Sequence, residues 1–202
     1  GVQPCAFPIS FDAVMDPEPM VAAGSTFGKA RHFDQFGRVT GTVEILGRTV
    51  DIDCIAARDR TWGRRREDRP HKAAYVTGAS SERDQFLAVT KHSGNREGVA
   101  FGFLRRDGVI ADLVDGERSV HRDPSTGYVA GLELDLVDSL GRTLHATGTP
   151  VSRTVVNRHT FIDVNSLVRW ESADSTAWGE DQDMWPVHEW ADARRRSEEH
   201  TS

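Results

Sequence analysis

Apolar and polar residues alternate along much of this chain in steps of two, the signature of strands with one buried face. Val39, Gly41, Val43 and Ile45 alternate with Arg38, Thr40, Thr42 and Glu44, which predicts a half-buried strand. Leu46-Gly47-Arg48-Thr49 turns the chain, and Val50, Ile52 and Cys54 resume the alternation. The device recurs where Leu132, Leu134 and Leu136 lead through Leu140-Gly141-Arg142-Thr143 to Leu144, Ala146 and Gly148. Little else repeats, so the shared turn reflects the demand for glycine at positive φ rather than a duplication. Further strands are predicted over Ala73–Ala79, Gln85–His92, Val99–Leu104, Val109–Leu113, Arg118–Arg122, Val151–Val156 and Phe161–Trp170. The connections carry turn chemistry: Ser80-Ser81, Ser93-Gly94-Asn95, Asp107-Gly108, Asp115-Gly116 and Asp123-Pro124. Many strands at short spacing predict an all-β barrel or sandwich, and the lack of alternating helices argues against a parallel α/β sheet.

One helix is expected, from Gly179 to about Arg196. Met184, Trp185, Val187, His188, Trp190 and Ala191 fall on a rough helical period, with Glu180, Asp181 and Asp183 early and arginines late, as the helix dipole favours. Pro186 would kink or restart it. Residues 197–202 are expected to fray. At the other end, Ala6–Val14 reads as a strand that Asp16-Pro17-Glu18-Pro19 breaks, before a loop-like Gly24–Gly28. Residues 1–30 therefore read as the closing strand and linker of an upstream barrel, and residues 31–196 as the domain proper.

Composition narrows the function classes. Hydrophobic residues at 38% and charged residues at 28% of 202 are the balance of a folded globular chain. A net charge of −6 gives no field that favours nucleic acid, and acids follow both basic runs, Arg64–Arg66 and Arg194–Arg196. Cys5 and Cys54 form no CxxC, so a reducing compartment, the cytoplasm, is the expected location. No apolar run approaches the roughly 20 residues that span a bilayer. The histidines make no HxH or HExxH, and neither GxGxxG, Walker A nor GxSxG occurs, so no metal, nucleotide cofactor or serine nucleophile is implied.

Arg58-Asp59-Arg60-Thr61-Trp62-Gly63 concentrates the candidate chemistry. A strand end with a carboxylate, two guanidiniums and an indole can set a proton donor beside an apolar wall. The same residues could equally form a salt-bridged strand end capped by a tryptophan. Burial would keep Asp59 protonated, and the face of Trp62 beside it could stabilise a carbocation. A guanidinium touching Asp59 would oppose that role, but strand alternation turns Arg58 to the opposite face.

His32-Phe33-Asp34-Gln35-Phe36-Gly37-Arg38, followed by a hairpin and then Asp59-Arg60-Thr61-Trp62-Gly63, resembles the second-domain pattern of the AttH-like and carotenoid 1,2-hydratase proteins. Trp178-Gly179-Glu180-Asp181 and the Trp-rich segment after it resemble the end of that domain. The resemblance implies an antiparallel lipocalin-like β-barrel with a C-terminal α-helix and a greasy cavity. It implies acid-catalysed hydration, dehydration or cyclisation of a terpenoid or polyketide-like substrate, without a cofactor and with Asp59 as acid. His92 and Tyr75 join Asp59 as candidate catalytic groups facing the cavity. Trp62, Arg58, His159, Trp178 and Glu180 are the candidate substrate-binding residues, with Glu180 also a second acid. The alternatives are non-catalytic binding of a hydrophobic small molecule, or one structural subunit of a heteromer. The implied partners are that ligand and a second lipocalin-like domain, subunit or copy of the chain.

Overall fold

The computed structural model describes residues 8–19, 31–62, 72–93 and 96–199. The chain is an antiparallel, lipocalin-like β-barrel with a C-terminal helix and a second, smaller sheet against its wall. Eight strands close the barrel in chain order: β5 (Ala73–Ala79), β6 (Gln85–Ser93), β7 (Arg96–Arg106), β8 (Val109–Arg122), β9 (Val129–Asp138), β10 (Thr143–Asn157), β11 (Phe161–Glu171) and β12 (Thr176–Pro186), which pairs back with β5. The second sheet holds β1 (Ile9–Ala13), β2 (Glu18–Pro19), β3 (Arg31–Ile45) and β4 (Arg48–Trp62). Helix α1 spans Val187–Glu199. No described helix is long and apolar enough to cross a membrane.

The barrel thus starts at Ala73 rather than near Arg31. The predicted hairpin around Leu46-Gly47 forms, but as β3 and β4 of the second sheet. Its partner β1 comes from the segment expected to close an upstream barrel, with Ile9 opposite Gly41 and Phe11 opposite Val39. Phe36 of β3 packs with Leu87 and Phe103 on the outer barrel wall, joined by Ile55, Tyr75 and Val89. Phe36 and Phe103 meet edge to face at 6.1 Å. The second sheet therefore buries the outside of β5–β7, removing apolar surface from water as a core does.

Three expectations fail for identifiable reasons. The segment 179–186 is the end of a strand, and the helix starts only at Val187. β12 must pair along both edges, with β11 and with β5, to close the barrel. Its Asp181 and Asp183 point inward, bound to arginines, instead of answering a helix dipole. Asp115-Gly116 is likewise no turn, because β8 continues through it with a register shift. A Cβ on Gly116 would stand 2.5 Å from Asp135 O, so only glycine lets β9 approach. Pro150 also stays within a strand, opposite Val168 and next to the register shift that precedes Ser152. Ser93-Gly94-Asn95 lies partly, and Gly24–Gly28 wholly, outside the described residues.

The barrel interior has two layers. One is apolar, built from Phe86, Leu104, Leu134, Leu136, Val168 and Trp170. The other, at the end covered by α1, is ionic. Arg118, 2% exposed, holds Asp181 with a bidentate pair at 2.8 and 2.9 Å and Glu97 at 2.7 Å. Arg122 binds Asp183 at 2.7 Å, and Thr90 Oγ1 donates to Glu97 at 2.6 Å. Burial pushes the Glu97 carboxyl upward, but His92 and the Arg118 charge outweigh it and hold it below the usual range. Trp190 of α1 lies 5.7 Å from Trp185 and 5.6 Å from Tyr128, closing this end with rings. Removing Arg118 leaves three carboxylates facing one another in a low dielectric. Arg118→Met is expected to lose about 3–5 kcal/mol of stability. Chemical denaturation monitored by circular dichroism checks this, and a loss within error of zero would contradict the network.

Candidate functional site

The hairpin register decides which residues meet. With Ile45 opposite Arg48, Asp34 falls opposite Asp59 and Gln35 opposite Arg58. Directly paired residues share a face, so Asp34, Asp59, His32 and Thr61 point one way while Gln35, Arg58 and Arg60 point the other. Arg58 donates from Nε to Gln35 Oε1 at 2.9 Å, and its guanidinium lies 4.5 Å from the Phe11 ring centre. Among the described residues no ion pair joins Asp59 to Arg58 or Arg60, whose side chains leave from the opposite face.

On the barrel side, the Tyr75 hydroxyl donates to Asp34 Oδ1 at 2.6 Å. The other oxygen of Asp34, Oδ2, lies 3.1 Å from His32 Nε2, and His32 Nδ1 lies 2.6 Å from Thr61 Oγ1. Thr61, His32, Asp34 and Tyr75 thus form one hydrogen-bonded chain between the second sheet and the outer wall of β5. His32 and Asp34 are buried. Glu180 joins from β12, where its backbone N–H donates to Thr77 Oγ1 at 3.1 Å. Asp59 is exposed, at the solvent side of the group.

The electrostatics follow from this crowding. Burial pushes the Glu180 carboxyl above the usual range, opposed by a hydrogen bond with Gln182 and reinforced by the charges of Asp59 and Asp163. Burial, then the charge and hydrogen bond of Asp34, then Asp59 and Glu180, raise the Tyr75 hydroxyl far above its ordinary range. Tyr75 therefore remains a phenol that donates. The cluster combines a protonation-prone carboxyl, a solvent-facing carboxyl, and a phenol fixed by an Asp–His pair. Such a set can give and take protons without a metal. Among the described residues no group of three His, Cys, Asp or Glu side chains is arranged to hold a metal ion.

The sequence-predicted residues divide between several places. Asp59, Tyr75 and Glu180 come together, but outside the barrel wall: Tyr75 does not face the cavity. Trp62 lies on the opposite face from Asp59, 6.1 Å edge-on from Phe33 and about half exposed. His92 is far from this role, since its Nε2 lies 2.8 Å from Glu97 Oε2 in the ionic layer, off the direction of an ideal hydrogen bond. His159 is exposed in the turn between β10 and β11. Trp178 is exposed on the outer wall of β12, on the same face as Glu180. Asp34, His32 and Thr61 were missed. The signal was present: His32 and Asp34 alternate with Phe33, and counting back from the Leu46-Gly47 turn sets Asp34 against Asp59.

A separate concavity opens at the barrel end away from α1. Its volume is about 300 Å³, and none of the residues expected to be functional lines it.

Because the folded state favours the neutral form of Glu180, its contribution to stability is present below the ordinary glutamate range and is lost as pH rises through the raised value. Glu180→Gln should therefore be more stable than the parent chain above that range and indistinguishable below it. The gap should not exceed about 1 kcal/mol, since solvent still reaches the group. Thermal melts from pH 4 to 9 test the sign, and a gap that opens toward acid would contradict it.

No curated protein and no solved structure matches the chain. A family model described as a domain of unknown function, DUF7064, matches residues 3–191. That match covers nearly the whole chain, both the second sheet with its Asp34–Asp59 pair and the closed barrel, and the chain belongs to this family.

Proposed function

We propose that this chain is a cofactor-independent acid–base enzyme of the hydro-lyase or isomerase type. It would add or remove water, or close a ring, on a hydrophobic substrate such as a terpenoid or polyketide-like molecule. The observation that carries the reading is the Tyr75 hydroxyl bonded to Asp34, itself bonded to His32, with Asp59 and Glu180 near enough for their charges to act on it. The resemblance to the AttH-like and hydratase pattern supports the same class.

In this reading the acid is Glu180 rather than Asp59. Burial and the nearby Asp59 charge favour its protonated form, as a donor to an alkene requires. Its proton passes to one alkene carbon, leaving a cation on the other. A water molecule attacks that carbon and gives up its own proton to the exposed carboxylate of Asp59. Dehydration runs the same steps in reverse. Trp178, on the same outer face as Glu180, replaces Trp62 as the indole placed to face a cation. Tyr75, held by Asp34 and His32, keeps a neutral donor directed into the group.

Incubation in D2O with a panel of small terpenoid alkenes and alcohols tests this, because protonation of an alkene leaves deuterium on carbon. Mass spectrometry should show incorporation by the parent chain. Glu180→Gln should lower it by about 10²–10⁴-fold with the circular dichroism spectrum unchanged. Tyr75→Phe should lower it less. Incorporation that persists in Glu180→Gln would sink the assignment of the acid.

A further inference from the structure

We propose that the open mouth of the barrel is a second binding site, for a small neutral ring compound carrying a hydroxyl or similar hydrogen-bonding group. The site is distinct from the carboxyl cluster and does not depend on the acid–base reading. It lies inside the strand ring, whereas Tyr75 and Glu180 lie outside it.

The cavity exists because small residues stand where large ones would fill the barrel. Gly78, Ala146 and Ala177 line it at strand positions whose side chains point inward. Gly78 lies directly against the Phe86 ring, 2.3 Å from where a Cβ would stand, so a larger residue there would have to displace that ring. The floor is two aromatic rings, Phe86 and Trp170, edge to face at 5.7 Å, with Leu104 beside them. Trp170 is fixed in place by its Nε1, which donates to Thr77 O at 3.1 Å, and both rings are buried, showing only their edges to the mouth. An aromatic floor framed by alanines is shaped for a flat or cyclic apolar group.

Depth sets the size. Below the floor the barrel is packed with Leu134, Leu136 and Val168, and beyond them the Arg118 ion network fills the remaining interior. A volume of about 300 Å³ is at the lower end for a small-molecule site. It takes one ring or a short branched chain and excludes a long polyene.

Charge sets the class. The rim carries Arg105 and Arg106 against Asp84, Asp107 and Asp174, so the cations do not dominate. Arg105 is already occupied, with Nη1 donating to Gln85 Oε1 at 2.9 Å and Nη2 to Val14 O at 3.0 Å. Arg106 donates to Thr143 O at 2.8 Å. Ser80 and Ser172 already bond within their own turns and Asp84 accepts at both oxygens, so what the rim offers a ligand is the carboxylates of Asp107 and Asp174 and the remaining acceptor capacity of the serine hydroxyls. That suits a neutral head that donates a hydrogen bond better than an anion.

The test is titration of the ¹⁵N-labelled chain with p-cresol and with cyclohexanol, followed by NMR. Saturable shifts are expected at the Trp170 indole N–H and at backbone amides of the mouth. Two plugged variants, Ala146→Phe and Ala177→Phe, should each weaken binding at least about tenfold. Glu180→Gln should bind as the parent chain does. 4-Methylbenzoate, an anion of the same size, should bind more weakly than p-cresol. The proposal falls if neither neutral probe gives saturable shifts at the mouth. It also falls if a plugged variant with a native spectrum keeps full affinity, or if 4-methylbenzoate binds as well as p-cresol.

Discussion

The guanidinium of Arg118 is enclosed by eight strands, and its charge has to be met from within the barrel. A buried cation without partners is untenable, so the surrounding strands must supply carboxylates at fixed positions. β7 supplies Glu97, and β12 supplies Asp181 and Asp183. These contacts tie the last strand of the ring to strands on its far side. β12 is also the strand that closes the barrel onto β5, so the charge of Arg118 and closure of the ring depend on each other. Everything placed by the outer face of β12, Glu180 included, inherits its position from that inner contact.

This coupling also explains where the sequence misleads. Residues 179–196 carry acids, then Trp185 and Trp190, then arginines, which satisfies the rules for a helix. The rules assume that acids face water. Here Asp181 is fully buried and Asp183 nearly so, each held by an arginine more than sixty residues away along the chain. No local pattern can announce a partner at that distance. Where partners are local the reading succeeds: the Leu46-Gly47 and Asp107-Gly108 hairpins form as their turn residues demand, Leu46 and Asp107 themselves adopting positive φ.

The candidate site was legible in part, and for a similar reason. Asp59, Tyr75 and Glu180 could be named from residue type and from the family-like motif. Which side of the wall they occupy could not. Both faces of β5 are buried, Ala74 and Val76 by the barrel core and Tyr75 and Thr77 by the second sheet or its neighbours. Where neither face meets water, alternation stops distinguishing inside from outside. The hairpin register, by contrast, was countable from its turn, and it alone would have added Asp34 and Thr61 to the group.

β12 therefore carries two messages in alternate letters. Its odd positions, 177, 181, 183 and 185, face the interior, and its even positions, Trp178 and Glu180, face the outer wall. The two sets touch different neighbours, but the outer set keeps its place only while the inner ion contacts hold the strand. Sliding the strand by one residue would exchange them, sending Asp181 and Asp183 to the outer wall and turning Trp178 and Glu180 inward. The strand is thus free to vary at its outer positions and unable to vary in where it stands. In a lineage built on this fold, change along β12 would be by replacement and not by insertion or deletion.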